Sequence, residues 1–232
     1  MFKKTVSAIA LSAAAFLAAP AANAALVLTP VEIETITSTS TNFFNAPMVF
    51  DKFDSGLGTL LEVRLSLTGN VSGTARYESQ DAAPTTVTLQ LTAQIDLTRP
   101  GGASIVQTLP VANVVANPTA FDGTTDFAGT SGGTFSGLSA SASNNATLTS
   151  APDLALFTAA FLGETISLEL DGLGVSNGSG AGNLILQFIT NAGATASVQY
   201  LYDNGIQIPE PMTLAVFGLG LVGLGSIRRR KA

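Results

Sequence analysis

Val87-Thr88-Leu89-Gln90-Leu91-Thr92-Ala93-Gln94-Ile95-Asp96-Leu97 sets six apolar residues against five polar ones in strict alternation. A period of two is the period of a β-strand, whose successive side chains point to opposite faces. A strand that is polar on one face belongs to a sheet wetted on that side, and such sheets are antiparallel. Arg99-Pro100-Gly101-Gly102 then closes the run with turn chemistry. Working outward, residues 61–68 alternate in the same way, and Gly69-Asn70 is expected to turn the chain after them. Further strands are expected at 26–36, 43–50, 105–115, 165–171, 184–190 and 195–202. Eight or more short strands with almost no helical periodicity predict an all-β protein, an antiparallel β-sandwich or jelly roll.

One short helix is expected over 153–161, with Pro152 at its first turn and Gly163 past its end. Its Leu154, Phe157 and Phe161 would share a face and cover one end of the sandwich. In the stretch 117–150, Gly, Ser, Thr and Asn make up 21 of 34 residues, the composition of a loop. Phe121, Phe127 and Phe135 punctuate it, which a disordered linker rarely allows, so short strands and tight turns are expected there.

Composition removes several chemistries. The 232 residues contain no Cys, His or Trp, which leaves no disulfide framework, no imidazole or thiolate metal site and no Ser-His or Cys-His pair. The net charge of −6 hides a division: Lys3, Lys4, Arg228, Arg229, Arg230 and Lys231 lie at the termini. Between residues 25 and 208 stand 15 acidic and 4 basic residues, a net of about −11. Such a body has no basic face for nucleic acid.

Both termini carry processing signals. Lys3 and Lys4, an apolar stretch over 6–19 and the small residues Ala22 and Ala24 make a secretory signal peptide over 1–24, cleaved after Ala24. Export of this kind uses the Sec machinery. At the other end, Pro209-Glu210-Pro211 is followed by 16 residues without a charge, 212–227, and then by Arg228-Arg229-Arg230-Lys231. As a transmembrane helix that segment would rise about 24 Å, close to a hydrocarbon core of about 30 Å with snorkelling at its ends. The basic cluster would stay cytoplasmic and leave the domain of residues 25–208 outside the inner membrane.

The tripeptide, the apolar Gly-rich segment and the basic cluster, in that order over 209–232, resemble the PEP-CTERM sorting signal of exported Gram-negative proteins. The resemblance implies an exosortase as partner, a membrane enzyme that recognises the tripeptide and removes the tail, so that this chain is the substrate. Each proline fixes its own φ and holds the residue before it out of the helical region, which presents an extended segment to such an enzyme. The body resembles the choice-of-anchor domains of type E found with these tails. The similar stretches are Phe50-Asp51-Lys52-Phe53-Asp54 with Gly56-Leu57-Gly58-Thr59-Leu60, Asp126-Phe127-Ala128-Gly129-Thr130-Ser131-Gly132, and Tyr200-Leu201-Tyr202-Asp203.

Residue chemistry within the body points away from catalysis. Two-carboxylate hydrolysis would need a pair of acids, and Asp51, Asp54, Glu164, Glu169 and Asp171 sit where turns and wet strand faces place acids in any case. Lys52, the one lysine between residues 25 and 208, has no serine assigned to it. Calcium needs only oxygen ligands, and Asp122 and Asp126 are its candidates, although turns favour Asp and Gly regardless. No catalytic residue and no cofactor is expected. The sequence describes an exported cell-surface or extracellular-matrix protein, associated with exopolysaccharide or biofilm, in a structural role. The alternatives are a module binding glycan or protein through loops such as 117–150, and a matrix-polymer hydrolase. A clustered pair of buried acids in a cleft would favour the enzyme; a flat face of Thr and Gln with no cleft would favour the structural role.

Overall fold

The computed structural model describes residues 23–180 and 182–208. Eleven strands and one helix follow one another: β1 (Asn23–Leu28), β2 (Glu32–Ser40), β3 (Phe43–Asp51), β4 (Thr59–Ser79), β5 (Val87–Thr98), β6 (Ser104–Thr108), β7 (Val111–Ala116), β8 (Gly132–Leu148), α1 (Ala151–Phe157), β9 (Thr165–Gly174), β10 (Asn177–Ser179) and β11 (Leu184–Ile208). Leu26–Asn204 form a compact unit, an antiparallel β-sandwich as the alternation predicts. One sheet runs β1-β11-β4-β8, with β2 also on β11. The other runs β10-β5-β9-β3, with β6 and β7 both on β5.

The apolar members of the alternating runs meet between the sheets. Val63, Leu65, Leu67 and Val71 of β4 and Ala192, Ala194, Ala196 and Val198 of β11 face Leu91, Ile95 and Leu97 of β5 and Leu168 and Leu170 of β9. A second cluster at one end of the sandwich gathers Ala75, Tyr77, Val87, Leu89 and Ala116. Small alanines on β11 opposite large aliphatics let the two layers close to interior density.

Several boundaries differ from expectation. Gly69-Asn70 does not turn, and β4 runs through it for 21 residues. Gly69 serves there as a close-approach site: a Cβ on it would lie 2.3 Å from Thr108 Oγ1 and 2.8 Å from Ile95 Cδ1. Residues 184–190 and 195–202 belong to one 25-residue strand, and residues 132–148 form a single 17-residue strand where short strands and turns were expected. Conversely, 26–36 divides around Pro30, and 105–115 divides at Leu109-Pro110, since proline lacks the amide a ladder uses.

The helix is shorter than the pattern suggests, seven residues from Ala151. Ser150 Oγ accepts the Asp153 amide at 3.3 Å as the N-cap and donates to Asp153 Oδ2 at 2.7 Å. Phe157 is fully buried and Leu154 packs against the core, whereas Phe161 lies outside the helix and 69 % exposed. Among the described residues no helix is long and apolar enough to cross a membrane. Ala24 falls in β1. The remaining terminal signals, namely Ala22, Pro209-Glu210-Pro211, the apolar segment 212–227 and Arg228 to Lys231, lie outside the described residues.

Candidate functional site

The three stretches singled out in the body close the ends of the sandwich. Phe53 packs its ring on Tyr200 and Tyr202 with centroids 5.9 and 5.1 Å away, and Phe157 meets Tyr200 at 6.4 Å. The Tyr200 hydroxyl donates to the Asp51 carbonyl at 2.7 Å. Burial first, and then the charges of Glu32 and Asp51, hold its phenol well above the ordinary range. Lys52 pairs with Glu164, whose carboxylate also accepts the Ala160 amide. Those contacts, the Lys52 bond first, pull the Glu164 pKa down. Asp54 accepts the Gly56 amide at 2.8 Å and caps the 3-10 turn Ser55–Leu57. The acids near residue 51 and Glu164 are therefore engaged in holding one end of the fold.

Residues 118–131 are organised by a carboxylate that sequence reading missed. Glu78 is fully buried, accepting the Ser131 hydroxyl at 2.7 Å and the Phe127 and Asp126 amides at 2.8 and 3.3 Å. Phe127 takes a left-handed φ of 57° to present its amide, a strained conformation for a bulky residue that the carboxylate holds in place. Gly132 leaves the space, since a Cβ there would stand 2.2 Å from Glu78 Oε2. Glu78 occupies the outward parity of β4, which in sequence reads as solvent-facing; only the folded loop makes it internal. Burial, and then the Glu78 charge, raise the pKa of Tyr77.

The calcium candidates lie in this same loop. Asp122 accepts the Thr124 amide at 3.0 Å and Asp126 the Ala128 amide at 2.9 Å, so each carboxylate closes its own Asx turn. The Thr124 bond, followed by those to Ser131 and Thr130, lowers the Asp122 pKa. Among the described residues no group of three or more acids is placed to hold a metal ion.

One acid pair does emerge, and not from the residues expected to supply it together. Asp96 of β5 and Asp171 of β9 are direct cross-strand partners on the outer face, an arrangement that costs stability unless each charge is compensated. Asp96 accepts Ser104 Oγ at 2.5 Å and Gln107 Nε2 at 2.6 Å, and Asp171 accepts the Asn45 amide at 2.7 Å. With Phe44, Gln94 and Leu173 they line an open groove of about 200 Å³. Alternation placed both acids outward, but strand register is what brings them opposite one another. Glu169 pairs instead with Thr98.

The middle of the other sheet's outer face is an array of uncharged polar groups, bordered on β4 by Glu62 and Arg64 at one end and Arg76 at the other. Ser143, Thr68, Thr195 and Thr35 stand side by side on β8, β4, β11 and β2, with hydroxyl contacts of 2.8 Å between Thr68 and Ser143 and 3.1 Å between Thr35 and Thr195. Adjacent rows place Asn145, Ser66 and Ser197 on one side and Ser141 and Asn70 on the other. Strand spacing of about 4.8 Å and a two-residue repeat of about 6.8 Å make this a regular lattice of hydroxyls and amides. A groove of about 250 Å³, lined by Arg64, Ser66, Asn145, Thr147, Ser197 and Gln199, opens on it.

Comparison with known proteins adds the decisive observation at the C-terminus, where residues 207–231 match the PEP-CTERM protein-sorting motif. The chain carries a PEP-CTERM sorting motif. A motif of this kind supports an exported protein sorted by an exosortase. No curated protein matches the chain. Solved structures similar to it include a viral particle of infectious bursal disease virus (12 % identity, 90 % of this chain and 45 % of that one, TM-score 0.18). Another is the VP2 subviral particle of the same virus (13 % identity, 86 % and 50 %, TM-score 0.17). The chain spans about half the length of these structures.

Proposed function

We propose that this PEP-CTERM protein is a structural component of the cell surface or of an extracellular polysaccharide matrix, with no catalytic activity of its own. The sorting motif at residues 207–231 carries the reading. On this reading the chemistry belongs to the partner exosortase, which would take Pro209-Glu210-Pro211 as its recognition element, with Arg228 to Lys231 setting membrane orientation. The lattice of hydroxyls around Thr68 and Thr195 supports the structural role, because neutral hydroxyls and amides can exchange water for sugar hydroxyls without desolvating a charge. Asp96 and Asp171, each bonded within the fold and set in an open groove, do not offer the enclosed acid pair that a hydrolase would use.

A glycan-binding module is the second reading, favoured by the groove between Arg64 and Gln199 in that same face. Of the stretch 117–150 put forward for recognition, residues 118–131 are bound up with Glu78 and Gly132–Leu148 form β8, so it is not used as a loop in this reading.

Replacing Pro209, Glu210 and Pro211 with alanine tests the sorting role. The parent should lose its tail and leave the inner membrane, while the variant keeps its full mass and stays in the membrane fraction. Identical trimming and release of both proteins would refute the proposal.

A further inference from the structure

Among the described residues β8 pairs only with β4 and forms an edge of its sheet. The residues of β8 contain no charge and no proline over all 17 positions. Edge strands normally carry a device against pairing with another chain, such as a charge, a proline or a covering segment. β2, at the opposite side of the sheet, carries Glu32 and Glu34. β8 carries such devices only on either side of its middle: a bulge at residues 136–137, where its register on β4 shifts and Gly137 takes a φ of 68°, and Asn144, its Oδ1 capping the Asn145 amide at 2.9 Å while its Nδ2 donates to the Gln107 carbonyl at 3.0 Å.

That cap also fixes which backbone groups face outward. The Asn145 amide points away from β4, so by alternation those of Ser143, Ser141 and Ser139 do too. Around them the sequence Ser139-Ala140-Ser141-Ala142-Ser143 reads the same in both directions. The serines are exposed on the hydroxyl face and the alanines half-buried on the inner one.

We propose that β8 is a homotypic pairing edge, at which a second copy of this chain adds antiparallel about a two-fold axis through Ser141. In that register Ser139 meets Ser143 of the second copy, Ala140 meets Ala142, and Ser141 meets itself. Two-fold interfaces require such self-complementarity. Charge selects the same partner: two bodies of net charge about −11 repel over most of their surfaces, and β8 is the long strand on which they can meet with no like charges opposed. This inference does not depend on the function proposed above.

The chain has no cysteine, so a single introduced thiol reports the register. Opposed residues in an antiparallel pair have Cα atoms about 4.5–5.5 Å apart, within the range of about 4.4–6.8 Å that a disulfide spans. In the full-length chain in mild detergent, Ser141→Cys should form a disulfide dimer under mild oxidation. Ser66→Cys, on the same face of the central strand β4, should remain monomeric on a non-reducing gel. Ser141→Pro, which removes an amide that β4 does not use, and Ser141→Lys should each weaken dimerisation at least about tenfold in sedimentation equilibrium, with a parental circular dichroism spectrum. Equal crosslinking of the Ser141 and Ser66 variants, a monomeric parent, or undiminished association of both the Pro and the Lys variants would overturn the proposal.

Discussion

Glu78 makes no ion pair among the described residues, and its replacement separates hydrogen bonding from charge. Its two oxygens take the Ser131 hydroxyl at 2.7 Å and the Phe127 and Asp126 amides at 2.8 and 3.3 Å. In Glu78→Ala the short Phe127 amide loses its acceptor outright, the longer Asp126 bond is lost as well, and the Ser131 hydroxyl can rotate elsewhere. A buried donor left unmade costs about 1–3 kcal/mol, and the space left by the side chain adds to this, for a total of roughly 3–5 kcal/mol. Glu78→Gln keeps one oxygen for the amides and turns its NH2 toward a hydroxyl that can accept as well as donate. That variant should lie within about 1 kcal/mol of the parent. Urea unfolding followed by far-UV circular dichroism should give an early midpoint for the Ala variant and a nearly parental one for Gln, at unchanged slope. Hydrogen exchange of the Phe127 amide should accelerate in the Ala variant alone. Equal midpoints for the two variants would mean that the carboxylate does not hold the loop, and the account of residues 118–131 would fall.

Two further outcomes follow from the same kind of accounting. Gly69→Val drives a branched side chain at Thr108 and Ile95, where even a Cβ meets atoms at 2.3 and 2.8 Å; it should cost about 1–3 kcal/mol, read as a lowered urea midpoint. The Arg99 contact at 2.7 Å, then Ser150, hold the Asp153 pKa below its ordinary value of 3.8. Stability from a depressed carboxylate is fully present above that ordinary value and is lost as pH falls through the folded one. Asp153→Asn should therefore melt below the parent at neutral pH, and the gap should narrow below pH 3.8; a gap that widens in acid would contradict the assignment.

The sheets were legible because alternation is a local property. The polar and apolar faces of 87–97 needed nothing beyond side-chain parity, and the structure places β5 at Val87–Thr98. What failed was punctuation. Gly69-Asn70 has the composition of a turn, yet Gly69 is there for the approach of β6 and β5 across the core, a contact between residues some 26 to 39 positions apart. Ser, Ala and Asn in 139–145 look like loop material because an edge strand with one wet face needs little apolar mass. The Asp96–Asp171 pairing and the burial of Glu78 were unreadable for a related reason: both depend on register and on a distant loop, which no window of sequence contains. The sorting motif at residues 207–231 is the opposite case, a contiguous signal legible without any knowledge of the fold.

β11 continues to Ile208, and the sorting tripeptide begins at the next residue. A pull on the chain beyond Ile208 is thus a pull along a strand paired with β4 from Leu184 to Asp203 on one side and with β2 from Asn191 to Val198 on the other. Tension applied in that direction shears the two ladders together instead of unzipping them bond by bond. Forced unfolding is set by the rate of that event, so a load applied beyond Ile208 would meet the fold along its most resistant direction.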